Sequence, residues 1–163
     1  MPKHLPQLLE SGIRDVLFGK DVKVVQPVNL YRCKIGDDCF IGPFVEIQKD
    51  VRIGARTRVQ SHSFICELVS IGEDCFVGHG VMFINDTFAT GGPARGRKEL
   101  WRNTHIGNRV SIGSNATIMP VDICDDVVIG AGAIVTRDIA KPGIFAGNPA
   151  RLIRRLPDTD KAR

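Results

Sequence analysis

Aromatic side chains and strong net charge are both scarce in this chain of 163 residues, which has one tryptophan, one tyrosine and a formal net charge of +4. Proteins that bind nucleic acid usually carry dense basic runs and aromatic platforms. No stretch of about 18 uninterrupted apolar residues is present, and residues 1–6 lack the apolar core of a secretory signal. The sequence therefore predicts no nucleic-acid partner, no membrane insertion and a cytoplasmic location.

Cysteine pairing motifs are also missing. The chain has five cysteines, an odd number, and no CxxC spacing. Three of them, Cys33, Cys39 and Cys75, fall at the inward positions of the repeat described next, where a thiol behaves as a small apolar group. We therefore expect free thiols in a reducing compartment.

A six-residue apolar repeat runs through most of the chain. Its first register is filled by Ile35, Ile41, Ile47, Ile53, Val59, Ile65, Ile71, Val77 and Phe83, and then by Ile106, Ile112, Ile118, Ile123, Ile129 and Val135. A second register of small or β-branched residues lies four residues after each of these. Glycine follows the first-register residue at eight places: Gly36, Gly42, Gly54, Gly72, Gly78, Gly107, Gly113 and Gly130.

A period of six fits neither a helix nor a simple strand, and a fixed internal repeat indicates a solenoid. Three repeats of six residues would form one triangular turn, so residues 18 apart should stack, as in the series Ile35, Ile53 and Ile71. Glycine fits the corners, where a side chain would be crowded or φ positive. An ordinary β-sandwich would not need glycine at one fixed phase, so we predict an all-β parallel β-helix.

The repeat is interrupted between Phe83 and Ile106, where about 17 extra residues predict a protruding loop near 85–104. Long polar loops on rigid scaffolds often cover a substrate, and Trp101 within this one favours docking over disorder. After the coil, Asn148 and Pro149 resemble the start of a helix. We predict a single domain 1–163, with an N-terminal arm 1–20, a β-helix 21–147, and a C-terminal helix and tail 148–163.

Polar residues suited to chemistry gather around the start of the loop. His62 and His79 are 17 residues apart and should lie on adjacent turns, and Asn85 and Asp86 follow at the next corner. We expect these four side chains to share one edge of the coil. Each could equally be an ordinary corner residue, because Asn and Asp form turns.

The string Ile-Gly-Asp-Asp-Cys-Phe-Ile-Gly-Pro-Phe-Val-Glu, at 35–46, resembles the hexapeptide repeat of left-handed β-helix acyltransferases. This resemblance covers roughly residues 20–150. It implies that the coil is left-handed, which the repeat alone does not indicate. The string Gly-Asn-Pro-Ala-Arg at 147–151 resembles the sequence that follows the coil in members using acyl-CoA. The resemblance implies acetyl-CoA as co-substrate, with candidate contacts at Gly113, Ser114, Ala131, Lys141 and Arg151.

The strings Glu-Ile-Gln at 46–48, Gln-Ser-His-Ser-Phe-Ile at 60–65, Gly-His-Gly at 78–80 and Phe-Ile-Asn-Asp at 83–86 resemble a narrower subgroup. Its members acetylate 3-amino-3,6-dideoxyhexoses on dTDP, or 3-amino uronates on UDP, for O-antigen and other polysaccharide biosynthesis. The resemblance implies a homotrimer with its sites between subunits. Asn85 and Asp86 would contact the sugar near its amine, His79 and His62 would line the site, and Glu46, Gln48 and Gln60 are lesser substrate-binding candidates.

The acceptor decides how much catalysis is needed. A sugar amine has a pKa of roughly 8, so a useful fraction is neutral near pH 7, and orientation can supply much of the rate. A hydroxyl acceptor would need a histidine base, as in hexapeptide O-acetyltransferases. Two remoter alternatives are a zinc carbonic anhydrase-like site using His62, His79 and His105 and a non-catalytic scaffold. We expect an amino-sugar N-acetyltransferase without a metal.

Overall fold

The computed structural model describes residues 5–156, which wind into a parallel β-solenoid of about seven turns with the architecture of a left-handed β-helix. Three sheets form the faces of a triangular prism. The first face contains β1 Ile13–Arg14, β4 Asn29–Tyr31, β7 Glu46–Ile47, β10 Phe64–Ile65, β13 Met82–Phe83, β16 Thr117–Ile118 and β19 Ile134–Val135.

The other two faces are built in the same way. The second face contains β2 Leu17–Phe18, β5 Lys34–Ile35, β8 Arg52–Ile53, β11 Val69–Ile71, β14 Thr104–Ile106 and β17 Asp122–Ile123. The third face contains β3 Lys23–Val24, β6 Phe40–Ile41, β9 Arg58–Val59, β12 Phe76–Val77, β15 Ser111–Ile112, β18 Val127–Ile129, β20 Gly143–Ala146 and β21 Arg151–Arg154.

The predicted stacking of residues 18 apart is confirmed. Ile35 pairs with Ile53, and Ile53 with Ile71, along the second face. These side chains are buried, and so is the second register. Burying each isoleucine contributes roughly 1.5–3 kcal/mol, so the ladders form one continuous core inside the prism.

Corner glycines are required by crowding. A Cβ on Gly54 would lie 2.5 Å from the carbonyl carbon of Gly72 on the next turn. Positive φ, the other predicted reason for glycine, occurs elsewhere in the corner. It falls on ordinary residues such as Asp38, Arg56 and Asp74, with φ of 55°, 58° and 55°. Each corner therefore has two distinct positions. The residue directly after the strand is glycine because the next turn packs against it, and the residue two places later has a positive φ but can carry a side chain.

Two inward threonines differ in their hydrogen bonding. Thr57 donates from Oγ1 to the Gly72 carbonyl at 2.9 Å and accepts from the Cys75 amide at 3.1 Å. Thr104 is equally buried, yet its Oγ1 has no hydrogen-bond partner among the described residues. An unpaired buried hydroxyl costs about 1–3 kcal/mol.

Substitution of these two threonines by valine should therefore change stability in opposite directions. Thr57→Val should lower the free energy of unfolding by about 1–3 kcal/mol, because two backbone groups lose their partner. Thr104→Val should raise it by roughly 1 kcal/mol, because only an unpaired hydroxyl is removed. Urea unfolding followed by circular dichroism measures both, and equal effects of the two substitutions would contradict the assignment.

All five cysteines are free, as predicted. Burial raises the pKa of the Cys33 thiol to about 11 and that of Cys66 to about 12. Thiolates, the reactive form, are therefore strongly disfavoured at these two positions near neutral pH.

The predicted ends of the coil need correction. The solenoid begins before residue 21, because β1 and β2 already pair with β4 and β5. The predicted C-terminal helix is wrong over 148–156. Residues 147–150 form a turn in which Gly147 has a φ of 96°, and β21 returns antiparallel to β20. The edge strand β20 offers unpaired backbone groups, and a returning strand satisfies them as a helix could not. Residues 1–4 and 157–163 of the predicted arm and tail lie outside the described residues.

The predicted loop leaves the coil after β13 and returns at β14. It contains a 3₁₀ helix at Lys98–Leu100, and Asp86 forms an antiparallel bridge with Trp101 at its base. None of the helical turns found in residues 5–156 has the length and apolar content that a bilayer crossing demands.

Candidate functional site

Two corners of the prism carry the predicted site residues. We call the corner between the third and first faces the histidine corner, formed by residues 42–45, 60–63, 78–81, 113–116 and 130–133. We call the corner between the first and second faces the loop corner, formed by residues 48–51, 66–68, 84–103, 119–121 and 136–138.

The histidine corner holds His62 and His79 with exposed side chains. His79 Nδ1 and Ser61 Oγ share a hydrogen bond of 2.8 Å. The His62 ring stacks on Phe44 of the preceding turn, with ring centroids 4.8 Å apart. Gln60 precedes this pair at the same corner.

The candidate cofactor residues Gly113, Ser114 and Ala131 continue along the histidine corner. Gly113 packs closely on the next turn, since a Cβ there would lie 2.4 Å from the Ala131 amide nitrogen. Its small size is therefore explained by the stacking of the coil itself.

Asn85 and Asp86 lie at the loop corner, so the expectation that they share an edge with the histidines of the same chain is wrong. His79 precedes β13 and Asn85 follows it, which places them at opposite ends of one strand of the first face. A spacing of six residues moves the chain by one face, and this separates the two groups.

Asp86 organises the loop through its carboxylate. Oδ1 accepts a hydrogen bond from the Phe88 amide at 2.9 Å, and Oδ2 accepts one from the Ala94 amide at 2.7 Å. The buried Ala94 is thereby held near the base of the loop.

A polar network connects Asn85 with the first face. Asn85 Nδ2 donates to the Glu67 carbonyl at 3.3 Å, and the Glu67 amide donates to Gln48 Oε1 at 3.3 Å. Gln48 Nε2 donates to Glu46 Oε1 at 2.8 Å, and Glu46 Oε2 accepts from Asn29 at 3.1 Å. Three predicted site residues, Glu46, Gln48 and Asn85, therefore join through a residue that the sequence did not single out.

Glu67 was missed because a single glutamate at a corner resembles any solvated charge in the sequence. Its carboxylate pairs with Lys98 of the loop at 2.5 Å, and its side chain is only 15% exposed. The Lys98 ammonium also lies 5.3 Å from the centroid of the Trp101 ring.

A cavity of about 680 Å³ lies beneath the returning end of the loop. Trp101, Arg102, His105 and Arg137 line it, together with the carboxylate residues Asp122 and Asp138. Ser70 Oγ and the outward-facing His105 Nδ1 share a hydrogen bond of 2.7 Å.

A smaller cavity, of about 180 Å³, continues from the first and shares Thr136, Arg137 and Asp138 with it. Arg151 lines this cavity, whereas Lys141 is an exposed residue between β19 and β20. Arg102 and Arg137 were not predicted, because a corner arginine has no distinguishing sequence signal.

The described part of the chain contains no preformed cluster of metal ligands. Residues 5–156 contain no group of three His, Cys, Asp or Glu side chains arranged to hold an ion. Of the three histidines in the zinc alternative, His62 and His79 lie at the histidine corner and His105 lies on the second face.

Two family models match consecutive segments of the chain. A model described as bacterial transferase hexapeptide (six repeats) matches residues 32–67, and one described as hexapeptide repeat of succinyl-transferase matches 68–82 and 103–137. The unmatched residues 83–102 include most of the protruding loop.

The chain is similar to several transferases. It is 33% identical over 139 residues to the galactoside O-acetyltransferase of Escherichia coli (strain K12), a match covering 78% of this chain and 66% of that protein. It is 29% identical over 149 residues to the bifunctional protein GlmU of Synechococcus sp. (strain CC9605), covering 90% of this chain and 30% of GlmU. The chain thus spans about a third of the length of this larger relative.

A solved structure has the same fold at low sequence identity. A variant of AntD, an N-acyltransferase from Bacillus cereus solved with dTDP and coenzyme A, superposes with a TM-score of 0.63 at 20% identity. The match covers 91% of this chain and 88% of AntD.

Proposed function

Because the chain belongs to the hexapeptide-repeat acyltransferase family, we propose that it transfers an acetyl group from acetyl-CoA to the amine of a nucleotide-linked amino sugar. The proposed acceptor is a dTDP-linked 3-amino-3,6-dideoxyhexose. The observation that carries this proposal is the network joining Glu46, Gln48 and Asn85 at the base of the loop. These are the residues expected to bind the sugar and its amine.

The acceptor amine needs orientation more than a strong base. With a pKa of roughly 8, part of it is neutral at pH 7. Asn85 is held by the Glu67 carbonyl, and an amide held in this way can orient an amine for addition to the thioester carbonyl carbon. The amine nitrogen forms a bond to the thioester carbonyl carbon, the carbon–sulfur bond breaks with release of the coenzyme A thiolate, and the proton lost by the nitrogen ends on that sulfur. Correct placement alone can supply a large part of the rate.

The two corners fit a site that is completed between copies of the chain. Within one chain, the first face separates His79 and His62 from Asn85 and Asp86. In a homotrimer of prisms, the histidine corner of one copy can face the loop corner of its neighbour. This arrangement would unite the two groups, and we therefore propose the homotrimer as the active form.

Acetyl-CoA would follow the late turns of the solenoid. The candidates Gly113, Ser114 and Ala131 lie at the histidine corner, where a pantetheine arm would run past Ser114 and Ala131, while Gly113 packs against Ala131 and supports this surface. Arg137 and Arg151 line the cavities at the loop corner, and in the proposed homotrimer those of the neighbouring copy would bring positive charge to the phosphates of the cofactor; Lys141 is a further candidate. AntD, whose fold this chain shares, was solved with coenzyme A.

A panel of acceptors with acetyl-CoA tests the proposal by release of free thiol. The panel contains a dTDP-linked 3-amino-3,6-dideoxyhexose, a UDP-linked 3-amino uronate and a simple galactoside. We expect the highest kcat/KM with the dTDP-linked amine. Preference for the uronate would move the function to the UDP-linked branch, and turnover of none of the acceptors would contradict the proposal.

A second candidate is an O-acetyltransferase. The hydrogen bond between Ser61 and His79 and the similarity to galactoside O-acetyltransferase favour it. In this case a histidine would take the proton of a hydroxyl acceptor.

His79→Ala separates the two candidates. For an amine acceptor we expect kcat to fall by less than about ten-fold, because orientation supplies most of the rate. For a hydroxyl acceptor the loss of a general base should lower kcat by about 10²–10⁴-fold. Steady-state kinetics with the preferred acceptor measures the difference, and Ser61→Ala, which keeps the imidazole but removes its hydrogen bond, shows how much of the effect comes from orienting the ring.

A further inference from the structure

Glu67 is the most enclosed acid among the ion pairs recorded for the described residues. Its side chain is 15% exposed, whereas Asp126 is 22% exposed and Asp74 is 44% exposed in their pairs with arginine. Its partner Lys98 is 31 positions further along the chain, within the protruding loop. The ion pair therefore ties the loop to the body of the prism.

We propose that Glu67 is a positioning residue that holds the loop, and with it Asn85, against the first face. Its carboxylate binds Lys98, its carbonyl accepts from Asn85, and its amide donates to Gln48. One residue thus contacts the loop and two residues of the proposed acceptor site. The inference deepens the function proposed above, and its kinetic half rests on that function.

The charge of Glu67 suits this role. A partly buried carboxylate is costly without a counter-charge, and removing one partner of such a pair leaves the other uncompensated. The loop supplies the counter-charge through Lys98, which also lies near the Trp101 ring. Opening the loop would break the contact between Glu67 and Lys98, so the ion pair favours the closed position.

The phenol of Tyr31 is influenced by the charge of Glu67 as well. Burial, followed by the charges of Glu46 and Glu67, raises the pKa of Tyr31. Arg14 acts in the opposite direction on Tyr31. The two carboxylates therefore act on one region of the first face, where Asn29 and Gln48 also bind Glu46.

Trypsin provides a test that does not depend on enzymatic activity. The loop contains Arg95 and Arg97, whose cleavage rate tracks how often the loop opens. We expect Glu67→Gln and Lys98→Met each to accelerate cleavage at these two arginines by about ten-fold, and the double variant to be no faster than either single variant. Mass spectrometry of the fragments identifies the sites of cleavage.

Lys49→Met is the matched control. Lys49 pairs with Asp50 at 3.5 Å at the loop corner, two turns before the loop, and the two side chains are 39% and 58% exposed. Such surface pairs contribute little, so cleavage in the loop should proceed as in the wild type. Thermal midpoints of all variants show whether the whole fold has loosened, since a loop-specific effect leaves the midpoint nearly unchanged.

Acceptor kinetics complete the test. If Glu67 positions the site, both single variants should lower kcat/KM for the acceptor by about ten-fold while the KM for acetyl-CoA stays unchanged. Wild-type cleavage in Glu67→Gln and Lys98→Met would overturn the proposal whatever the kinetics show. Faster cleavage with unchanged acceptor kinetics would overturn the positioning of Asn85. If the wild-type protein acetylates no acceptor, the proposed function fails, and the cleavage rates still decide whether Glu67 holds the loop.

Discussion

Asp86→Ala is expected to lower kcat/KM for the acceptor by about 100-fold, the scale of loss that a misplacement of about 1 Å can cause. Both carboxylate oxygens of Asp86 accept hydrogen bonds from loop amides, those of Phe88 and Ala94. Without them the first half of the loop loses its attachment to the corner where Asn85 lies. If the carboxylate also contacts the sugar amine, the same substitution removes that contact.

Asp86→Asn separates these two contributions. An asparagine keeps the shape of the side chain and one oxygen that can accept from an amide, but it has no charge. We expect a loss smaller than that of Asp86→Ala if the residue mainly organises the loop, and an equal loss if its charge acts on the amine. Steady-state kinetics with a fixed saturating concentration of acetyl-CoA measures both variants. Wild-type kinetics in Asp86→Ala would refute both roles.

Gly54→Ala is expected to lower the free energy of unfolding by about 3 kcal/mol or more. The added Cβ would lie 2.5 Å from the carbonyl carbon and 2.6 Å from the carbonyl oxygen of Gly72. These are backbone atoms of the next turn, and the ladder of β8 and β11 fixes their distance. Overpacking in a well-packed region commonly costs about 1–3 kcal/mol, and here no flexible side chain can move aside.

Gly92→Ala is the matched control in the loop. A Cβ at Gly92 would meet no atom within 4 Å, and its φ is not in the left-handed region. We expect its free energy of unfolding to stay within about 0.5 kcal/mol of the wild type. Urea unfolding by circular dichroism compares the two variants. If Gly54→Ala were as stable as Gly92→Ala, the crowding explanation for the corner glycines would be wrong.

The repeating part of the fold could be predicted from the sequence because each unit of six residues follows the same local rule. Burial and stacking then follow from the period alone, as Ile35, Ile53 and Ile71 show. The first turn was missed although Gly19 follows β2, because Ile13 and Phe18 are only five residues apart and depart from the period of six. The period of six residues does not determine how the coil ends. Asn148 and Pro149 suit a helix start and a tight turn equally well, and the exposed edge of β20 decides between them.

The candidate site could be predicted only in part, because contacts across the prism depend on more than one segment. Gln48 and Asn85 were predicted individually, but Glu67, which joins them, is important only after the loop folds back and brings Lys98 to it. The separation of His79 from Asn85 follows from the period itself, since six residues equal one face. The sequence therefore defines the corner of each residue, and the proposed homotrimer would bring the corners of neighbouring copies together.

The hairpin of β20 and β21 also affects self-association. A stack of parallel strands that ends on a bare strand can template the addition of another molecule, which is a route to fibres. Here β21 turns back and makes β20 an internal strand of the third face. Within residues 5–156 the outermost strand of this face is β21, which begins and ends with the exposed arginines Arg151 and Arg154, and their like charges repel an identical strand. We therefore expect the antiparallel return to oppose the end-to-end addition of a second prism on this face.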